Sequence, residues 1–331
     1  MHDQSRLQCC QVALSTIDLA RSHWWYQRAL GFLPAGEMRH REGPAFAAVP
    51  GLPEAAFDVH CLTGRQRFFQ FEMFEFSRPR MRCRPVDWRR CDIGYASLGI
   101  HVASFDATLA RIDAVGGGLK TAPVGESGRR RVCLTDPDGM LIELMEDDPL
   151  GIGAARGDDR MEPAVASVTL SVRDLDVVRR FWIEVLRCDE TEMVLHEPDH
   201  ERLWGLAGAR RRALVLLAGE VALEFVQYAS PIGRARPAGY MLSDQGILNV
   251  AFGSTDKRAF DAMYNRALAH GFKGVAEPWS VPGVATVVYL TDSQGFSVEL
   301  LHVEPHALSR MGFVPNETDS RRAERCGNDC S

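Results

Sequence analysis

Two glutamates stand inside otherwise apolar stretches of the chain, and their chemistry needs an explanation. Residues 135–144 read TDPDGMLIEL and residues 291–300 read TDSQGFSVEL, so Glu143 and Glu299 each interrupt an apolar run that follows a turn. Asp, Pro and Gly favour a tight turn, and the apolar run after it predicts a strand. Because buried carboxylates are rarely left unpaired, each glutamate either forms a hydrogen bond in the core or takes part in chemistry.

The two stretches belong to a longer internal repeat. The segment QVALSTIDL at residues 11–19 matches SVTLSVRDL at residues 167–175, with the same spacing that separates the two glutamates. FEMF at residues 71–74 corresponds to LEFV at residues 223–226, and these segments contain Glu72 and Glu224. Self-similarity at a nearly constant spacing is typical of a repeated structural unit. We therefore interpret the chain as a divergent tandem duplication.

The elements that must position these glutamates form the same order in each half. Amphipathic patterns predict helices at residues 19–30, 106–115, 175–186 and 257–270, and alternating patterns predict strands around them. The predicted fold is α+β, with two βαβββ motifs in each half. The predicted divisions are a first module at 7–150, a linker at 151–162, a second module at 163–304 and a polar tail at 305–331.

Composition excludes several classes of function. The net charge of −6 argues against a general nucleic-acid-binding protein. No run approaches the length of a membrane-spanning helix, and the N-terminal residues lack the order of a signal peptide, so we expect a cytoplasmic protein without a membrane partner. The nine cysteines lack CxxC spacing and are expected to be reduced thiols.

Other side chains could contact a substrate. The long segment 77–95 is rich in arginine and predicts either a functional lid or a solvated connector. Its arginines, Arg89 among them, could hold a carboxylate or phosphate, and Trp88 could stack on a flat substrate. Tyr228 follows Glu224 by four residues and shares its face. His101 could act as a ligand or general acid, or form an ordinary hydrogen bond at the end of a strand.

The opening QVALSTIDL…YQRALGF and the closing DPDGMLIELMED resemble the vicinal oxygen chelate superfamily, which includes glyoxalase I, extradiol dioxygenases and the bleomycin resistance proteins. The resemblance covers residues 7–303 and implies cupped mixed sheets. It also implies a metal held in a cup by side chains of the first, fourth, fifth and last strands. The first-strand and fifth-strand ligands are usually histidines in the family, whereas here those positions are Gln11, Ser97, Ser167 and Asn249.

The resemblance to glyoxalase-like members implies that each site combines strands of both modules. One set is then Gln11, Glu72, Asn249 and Glu299, and the other is Ser97, Glu143, Ser167 and Glu224. The first set is the better candidate. Its oxygen ligands favour Mg²⁺ or Mn²⁺ over zinc or iron, and the alternative is a metal-free site in which a glutamate acts as a base. In the second set serines are poor ligands, so its glutamates are expected to be remnants that hydrogen-bond across the cup.

The resemblance implies a small-molecule enzyme of the isomerase or lyase kind. Glu72 and Glu299 would be ligand and base in the abstraction of a proton next to the carbonyl of a small carbonyl-bearing or aromatic substrate, and Gln11 and Asn249 would position an ion or the substrate oxygen. The alternative is a metal-free protein that sequesters a ligand. An extradiol-type dioxygenase is a weaker alternative, because neither module supplies the two histidines that it needs. The modules could pair within one chain or in a homodimer.

Overall fold

The computed structural model describes residues 7–52, 54–152 and 162–316. Most of the predicted linker, residues 153–161, and the last part of the predicted tail, residues 317–331, lie outside the described residues. No helix in the described ranges has the length and apolar character needed to cross a membrane.

The described part of the first half contains seven strands and three α-helices in the order strand, helix, strand, short helix, two strands, then strand, helix, two strands. They are β1 (Gln8–Ser15), α1 (Leu19–Trp25), β2 (Leu33–Glu42), α2 (Pro44–Ala48), β3 (Ala56–Thr63), β4 (Gln70–Arg78), β5 (Gly94–His101), α3 (Phe105–Ala114), β6 (Arg131–Thr135) and β7 (Leu141–Met145). The Asp18 side chain caps α1 by accepting a hydrogen bond of 2.9 Å from the backbone N–H of Arg21. The helix continues as a π-helical turn, Tyr26–Leu30, which ends at Gly31 with φ of 91°.

Eight further strands lie in the described part of the second half. They are β8 (Ala164–Ser171), β9 (Asp189–Thr191), β10 (Arg210–Leu217), β11 (Ala222–Ser230), β12 (Gly246–Ser254), β13 (Trp279–Val281), β14 (Ala285–Thr291) and β15 (Ser297–Val303), with α4 (Lys257–Ala269) after β12. The helix predicted at 175–186 forms a π-helical segment, Arg180–Val185, and a 3₁₀ helix, Pro198–Trp204, precedes β10.

The strands form two sheets, and each sheet takes strands from both halves of the chain. The eight-stranded sheet has the order β13-β14-β15-β12-β1-β4-β3-β2, and the seven-stranded sheet has the order β6-β7-β5-β8-β11-β10-β9. At each centre a strand of the first half pairs antiparallel with one of the second half, β1 with β12 and β5 with β8. The motifs therefore pair within one chain. The tandem duplication itself and the homodimer stay predictions.

One face of each sheet packs against the helices. Strand residues such as Val12, Phe71 and Leu300 share the main apolar core with helix residues that include Trp182 and Phe260. Side chains alternate along a strand, so the residues between these core positions point to the opposite face. We call that opposite face of the eight-stranded sheet the first cup, and that of the seven-stranded sheet the second cup.

Three local features differ from the sequence prediction. In the second motif, the strand expected directly after α3 is reduced to two isolated bridges, Leu119 to Leu134 and Val124 to Arg131. The polar tail predicted from Pro305 begins as packed structure: Phe313 is buried and stacks on Phe68, with ring centroids 4.6 Å apart. The arginine-rich segment 77–95 is held by buried contacts, because Arg90 is fully buried within the second cup.

Candidate active site

Strand alternation brings three of the predicted site residues to one cavity. In β15, Val298 and Leu300 face the helices, so Glu299 between them faces the first cup. The same alternation turns Glu72 of β4 and Gln11 of β1 into that cup. All three are at least 94% buried, with Glu72 and Glu299 each 6% exposed and Gln11 1% exposed.

A short chain of hydrogen bonds connects these residues. Gln70 donates from Nε2 to Oε1 of Gln11 at 2.7 Å, and Gln11 donates from Nε2 to Oε2 of Glu72 at 2.6 Å. Asn249 lies outside the cavity lining and donates from Nδ2 to Oε2 of Glu299 at 3.2 Å. The predicted set of Gln11, Glu72, Asn249 and Glu299 therefore comes from four strands, two of each half.

Burial raises the pKa of both carboxyl groups and so favours their protonated forms. It raises the pKa of Glu299 to about 7, and hydrogen bonds from Tyr289, Asn249 and Gln11 oppose that increase. Burial, together with the negative charge of Glu299, raises the pKa of Glu72 well above its ordinary value. Two interacting carboxylates in one cavity repel each other. Without a cation, at least one of the pair keeps a proton at neutral pH.

The cavity beside the two glutamates has a volume of about 510 Å³ and mostly apolar walls. This size suits a small organic ligand. One wall is aromatic: the Phe57 ring lies 5.3 Å from Phe74 and 5.4 Å from Phe76, and Phe46 lies 5.5 Å from Trp279. Further apolar and charged lining residues include Met38, Leu248, Val281, Met311, Glu37, Arg41 and Arg310. The cavity therefore offers a polar floor and an apolar, aromatic wall.

Two oxygen atoms beside the carboxyl groups have no partner. Oδ1 of Asn249 and Oε1 of Gln70 are buried and accept no hydrogen bond from the described residues. Carbonyl and carboxylate oxygens are the ligands that Mg²⁺ and Mn²⁺ prefer. The amide of Gln11 presents Nε2 to Glu72. Rotation of this amide by a half-turn would present its carbonyl oxygen instead, and the hydrogen bond to Gln70 would be kept if the Gln70 amide rotated as well.

The donor atoms therefore fit a hard divalent cation. They favour such an ion over zinc or iron, because Gln11, Glu72, Asn249 and Glu299 include neither the histidine nor the cysteine that zinc and iron sites usually contain.

The second cup is filled by its own charged side chains. His196 lies between its two glutamates, with Nε2 2.6 Å from Oε2 of Glu143 and Nδ1 2.7 Å from Oε2 of Glu224. Arg90 donates to Oε2 of Glu224 at 2.8 Å, and Arg131 donates to Oε1 of Glu143 at 3.2 Å. Histidine and arginine cations thus stand beside the carboxylates, where a metal ion would otherwise bind.

The pKa shifts in the second cup are opposite to those in the first. Burial would raise the pKa of Glu143, but the positive charges of His196, Arg131 and Arg90 lower it to about 2. Burial lowers the pKa of His196, and the two carboxylates raise it by more, so the net pKa of His196 is raised. The carboxylates of Glu143 and Glu224 are therefore ionised and paired, as expected of glutamates that hydrogen-bond across the cup.

The four predicted substrate contacts lie away from the first cavity. His101, at the end of β5, contacts the Arg65 guanidinium. Tyr228 is in the second cup, where its hydroxyl donates to Glu201 at 2.9 Å and accepts from Arg90 at 3.0 Å. Trp88 packs under the Arg84 guanidinium at 4.1 Å. Arg89 donates to Oδ1 of Asp92 at 2.9 Å. The structure therefore does not bring these four residues to Glu72 and Glu299.

Sequence reasoning missed four residues that shape the two cups. Gln70 precedes Glu72 by two residues, so strand alternation alone predicts that it shares the same face. Tyr289 pairs with Glu299 across β14 and β15. The turn at residues 291–295 that joins these strands could have indicated this register. Arg90 and His196 come from irregular segments, in which no periodicity gives the direction of a side chain.

Comparisons with known proteins agree with this architecture. Residues 164–300 match the family model of the glyoxalase/bleomycin resistance protein/dioxygenase superfamily. The fold is similar to that of glyoxalase I from Zea mays, with a TM-score of 0.61, 16% identity, and 94% of this chain and 97% of that chain covered. It is also similar to a suspected dioxygenase from Bacillus subtilis, with a TM-score of 0.56, 12% identity, and 97% and 96% covered. No curated protein matches the chain in sequence.

The predicted α+β architecture of cupped sheets is confirmed by these similarities in fold. Residues 164–300 therefore belong to the glyoxalase/bleomycin resistance protein/dioxygenase superfamily, and the chain as a whole has the vicinal oxygen chelate fold.

Proposed function

We propose that the first cup is the active site of an enzyme of the isomerase or lyase kind. Its reaction would abstract a proton next to the carbonyl of a small, largely apolar substrate. The observation that carries this proposal is the pair of buried carboxyl groups, Glu72 and Glu299, in an apolar cavity of about 510 Å³. A glyoxalase-type member of the superfamily is the coarser conclusion, which the family match supports.

Glu299 is the proposed base. Its pKa of about 7 lets it exist as a carboxylate near neutral pH and still accept a proton effectively. Glu72, whose pKa is raised further by burial and by the charge of Glu299, would remain protonated. In that form its O–H could donate to the oxygen of the enolate that develops in the substrate. Gln11 would hold Glu72 in place through the 2.6 Å hydrogen bond.

A divalent cation is the second way in which the same residues could work. Glu72, Glu299 and the side-chain oxygens of Gln11 and Asn249 would hold Mg²⁺ or Mn²⁺, which when bound would stabilise negative charge on the substrate oxygen. Metal analysis of wild type and Glu72→Ala protein, both purified without chelator, separates the two forms of the site. A near-stoichiometric ion that the variant loses is expected for the metal form.

The cavity walls favour a substrate with an aromatic or branched apolar group. Phe57, Phe74 and Phe76 form a continuous aromatic surface on β3 and β4, beside the polar floor. Arg41 lines the same cavity, and its Nε atom is buried without a hydrogen-bond partner among the described residues. A small aryl ketone would place its ring against the phenylalanines and its carbonyl next to the carboxyl pair.

Exchange of substrate protons with solvent tests this proposal without knowledge of the product. Wild type protein is incubated in D₂O with a panel of aryl ketones, and loss of the α-proton signal is followed by proton NMR. We expect exchange with at least one ketone, and a rate at least about 100-fold lower for Glu299→Gln because general-base catalysis contributes that much. Glu75→Gln is the matched control, because Glu75 lies on β4 with Glu72 but is exposed.

Equal exchange rates for wild type and Glu299→Gln would contradict the assignment of the base. A binding protein without catalysis is the second candidate, and the large aromatic cavity favours it. Saturable binding of a ketone at one equivalent, with no exchange above the uncatalysed rate, would decide for that candidate.

A further inference from the structure

A second cavity lies between the two long connecting segments, one from each half of the chain. It has a volume of about 260 Å³ and shares no lining residue with the first cavity. The first segment follows β4 and the second follows β11. The lining residues are Arg82, Cys83, Arg84, Pro85, Trp88, Ile93, Gly94, Tyr95, Arg236, Pro237, Tyr240, Asp244, Gln245 and Ile247.

Ion pairs between the two segments hold this cavity open. Arg82 donates from Nε to Oδ1 of Asp244 at 2.9 Å, and Arg234 donates to Asp87 at 2.6 Å and to Asp92 at 2.7 Å. These contacts fix the segments before any ligand binds. A preformed cavity loses less conformational entropy on binding than a flexible loop would.

The charge of Arg84 is unpaired inside this preformed cavity. Its Nη1 atom is buried without a hydrogen-bond partner among the described residues, and the carboxylate whose charge acts on the guanidinium, Asp136, forms no ion pair with it there. Burial lowers the pKa of Arg84 to about 10. Buried charges in proteins are almost always paired. The guanidinium approaches the backbone at Gly246, where an added Cβ would lie 2.3 Å from Nη2 of Arg84.

The remaining lining indicates the chemistry of a partner for Arg84. Arg236 adds a second guanidinium, which lies 4.5 Å from the ring of Phe296, and Trp88, Tyr95 and Tyr240 provide aromatic surface. A planar guanidinium binds carboxylates in a bidentate manner. Asp244 also lines the cavity, so a singly charged anion is favoured over a doubly charged phosphate. The volume, about half that of the first cavity, suits one ring.

We propose that this cavity is a second binding site, for a small aromatic carboxylate. The carboxylate pairs with Arg84 and Arg236, and the ring lies among Trp88, Tyr95 and Tyr240. The site is separate from the proposed active site, and its occupancy does not depend on the reaction in the first cup. A ligand that neutralises Arg84 also stabilises the contact between the two halves of the chain.

Calorimetric titration of the full chain with benzoate tests the site. We expect saturable binding of benzoate, weaker binding of the neutral analogue benzamide, and at least a ~10-fold loss of benzoate affinity in Arg84→Met and in Arg236→Met, because each removes a charge-assisted hydrogen bond. Arg80→Met is the matched control, since Arg80 is an exposed arginine of the same segment and should leave affinity unchanged. Benzoate affinity that survives Arg84→Met would overturn the proposal, and so would tighter binding of inorganic phosphate than of benzoate.

Thermal unfolding of the same proteins without ligand gives an independent test. Arg84→Met should raise the Tm because it removes an unpaired buried charge, whereas Arg82→Met should lower the Tm because it leaves Asp244 without its partner. Benzoate should raise the Tm of wild type and leave that of Arg84→Met unchanged. A lower Tm for Arg84→Met would mean that Arg84 is a structural residue, and it would contradict the binding site.

Discussion

Glu299 and Glu143 occupy matching places in the repeat, and their surroundings give them opposite properties. Burial raises the pKa of Glu299 to about 7, because its amide and phenol neighbours carry no positive charge and their hydrogen bonds offset burial only in part. Glu143 has His196 and Arg131 beside it, and these positive charges lower its pKa to about 2. The chemistry of a glutamate in this fold therefore depends on the side chains that meet it. Residue type and strand position do not determine it.

The raised pKa of Glu299 predicts a pH-dependent cost to stability. The pKa of Glu299 in the folded protein, about 7, exceeds its ordinary value of 4.5. The contribution of Glu299 to the free energy of unfolding is therefore fully present below pH 4.5 and is lost as the pH rises through 7. From the size of the shift, we expect Glu299→Gln to be more stable than wild type by roughly 3 kcal/mol at pH 8, with a smaller difference at pH 5. Urea unfolding of chelator-treated protein at both pH values measures this difference.

Glu75→Gln serves as the control for that experiment. Glu75 is exposed and lies on β4 with Glu72, so its replacement should change stability by less than about 0.5 kcal/mol at either pH. A Glu299→Gln variant that is less stable than wild type at pH 8 would show that Glu299 is ionised and well paired in the folded protein.

At the scale of the elements, regular strands were predictable and irregular connections were not. Period-two alternation and the turns at 135–139 and 291–295 were sufficient to place Glu72 and Glu299 on strands, and the family resemblance was needed to bring them into one set. His196 follows β9 in a segment without regular structure, and Arg90 belongs to the segment before β5. Because no repeating pattern gives their direction, the sequence could not indicate that they fill the second cup.

Because charged side chains fill the second cup, removal of one of them, His196, should strongly lower the free energy of unfolding. His196→Ala leaves Glu143 and Glu224 buried with fewer positive partners, and the loss of one partner of a buried ion pair costs about 3–5 kcal/mol. We expect a loss of this size in the free energy of unfolding, measured by urea denaturation at pH 6. His306→Ala is the control, because His306 is exposed. Similar stabilities of the two variants would refute the buried ion-pair network.

At the scale of the whole molecule, the two halves depend on each other. Each sheet is joined at its centre by a pair of strands from different halves, β1 with β12 and β5 with β8. The repeat predicted the βαβββ order, but it left open whether the modules pair within one chain or between chains. The first cup is complete within one chain, so a homodimer is not required to form the candidate site.

This interdependence predicts the behaviour of separated halves. We expect residues 7–150 and 163–304, expressed separately, to be largely unfolded by circular dichroism, because each would expose the central edge of both sheets. Co-expression should restore a folded complex of the two halves. A separately folded monomeric half would contradict the view that the cross-pairing of strands stabilises the protein.

The central claim is that in the first cup Glu72 keeps its proton at neutral pH while Glu299 titrates near pH 7. Infrared difference spectra of chelator-treated protein, titrated from pH 4 to 9, measure the protonated carboxyl band directly. We predict that part of this band disappears with a midpoint near pH 7 in wild type and in Glu75→Gln, and that this step is absent in Glu299→Gln, in which the band of protonated Glu72 remains. Complete ionisation of all carboxyl groups below pH 5 would contradict the claim and remove the proposed base from the first cup.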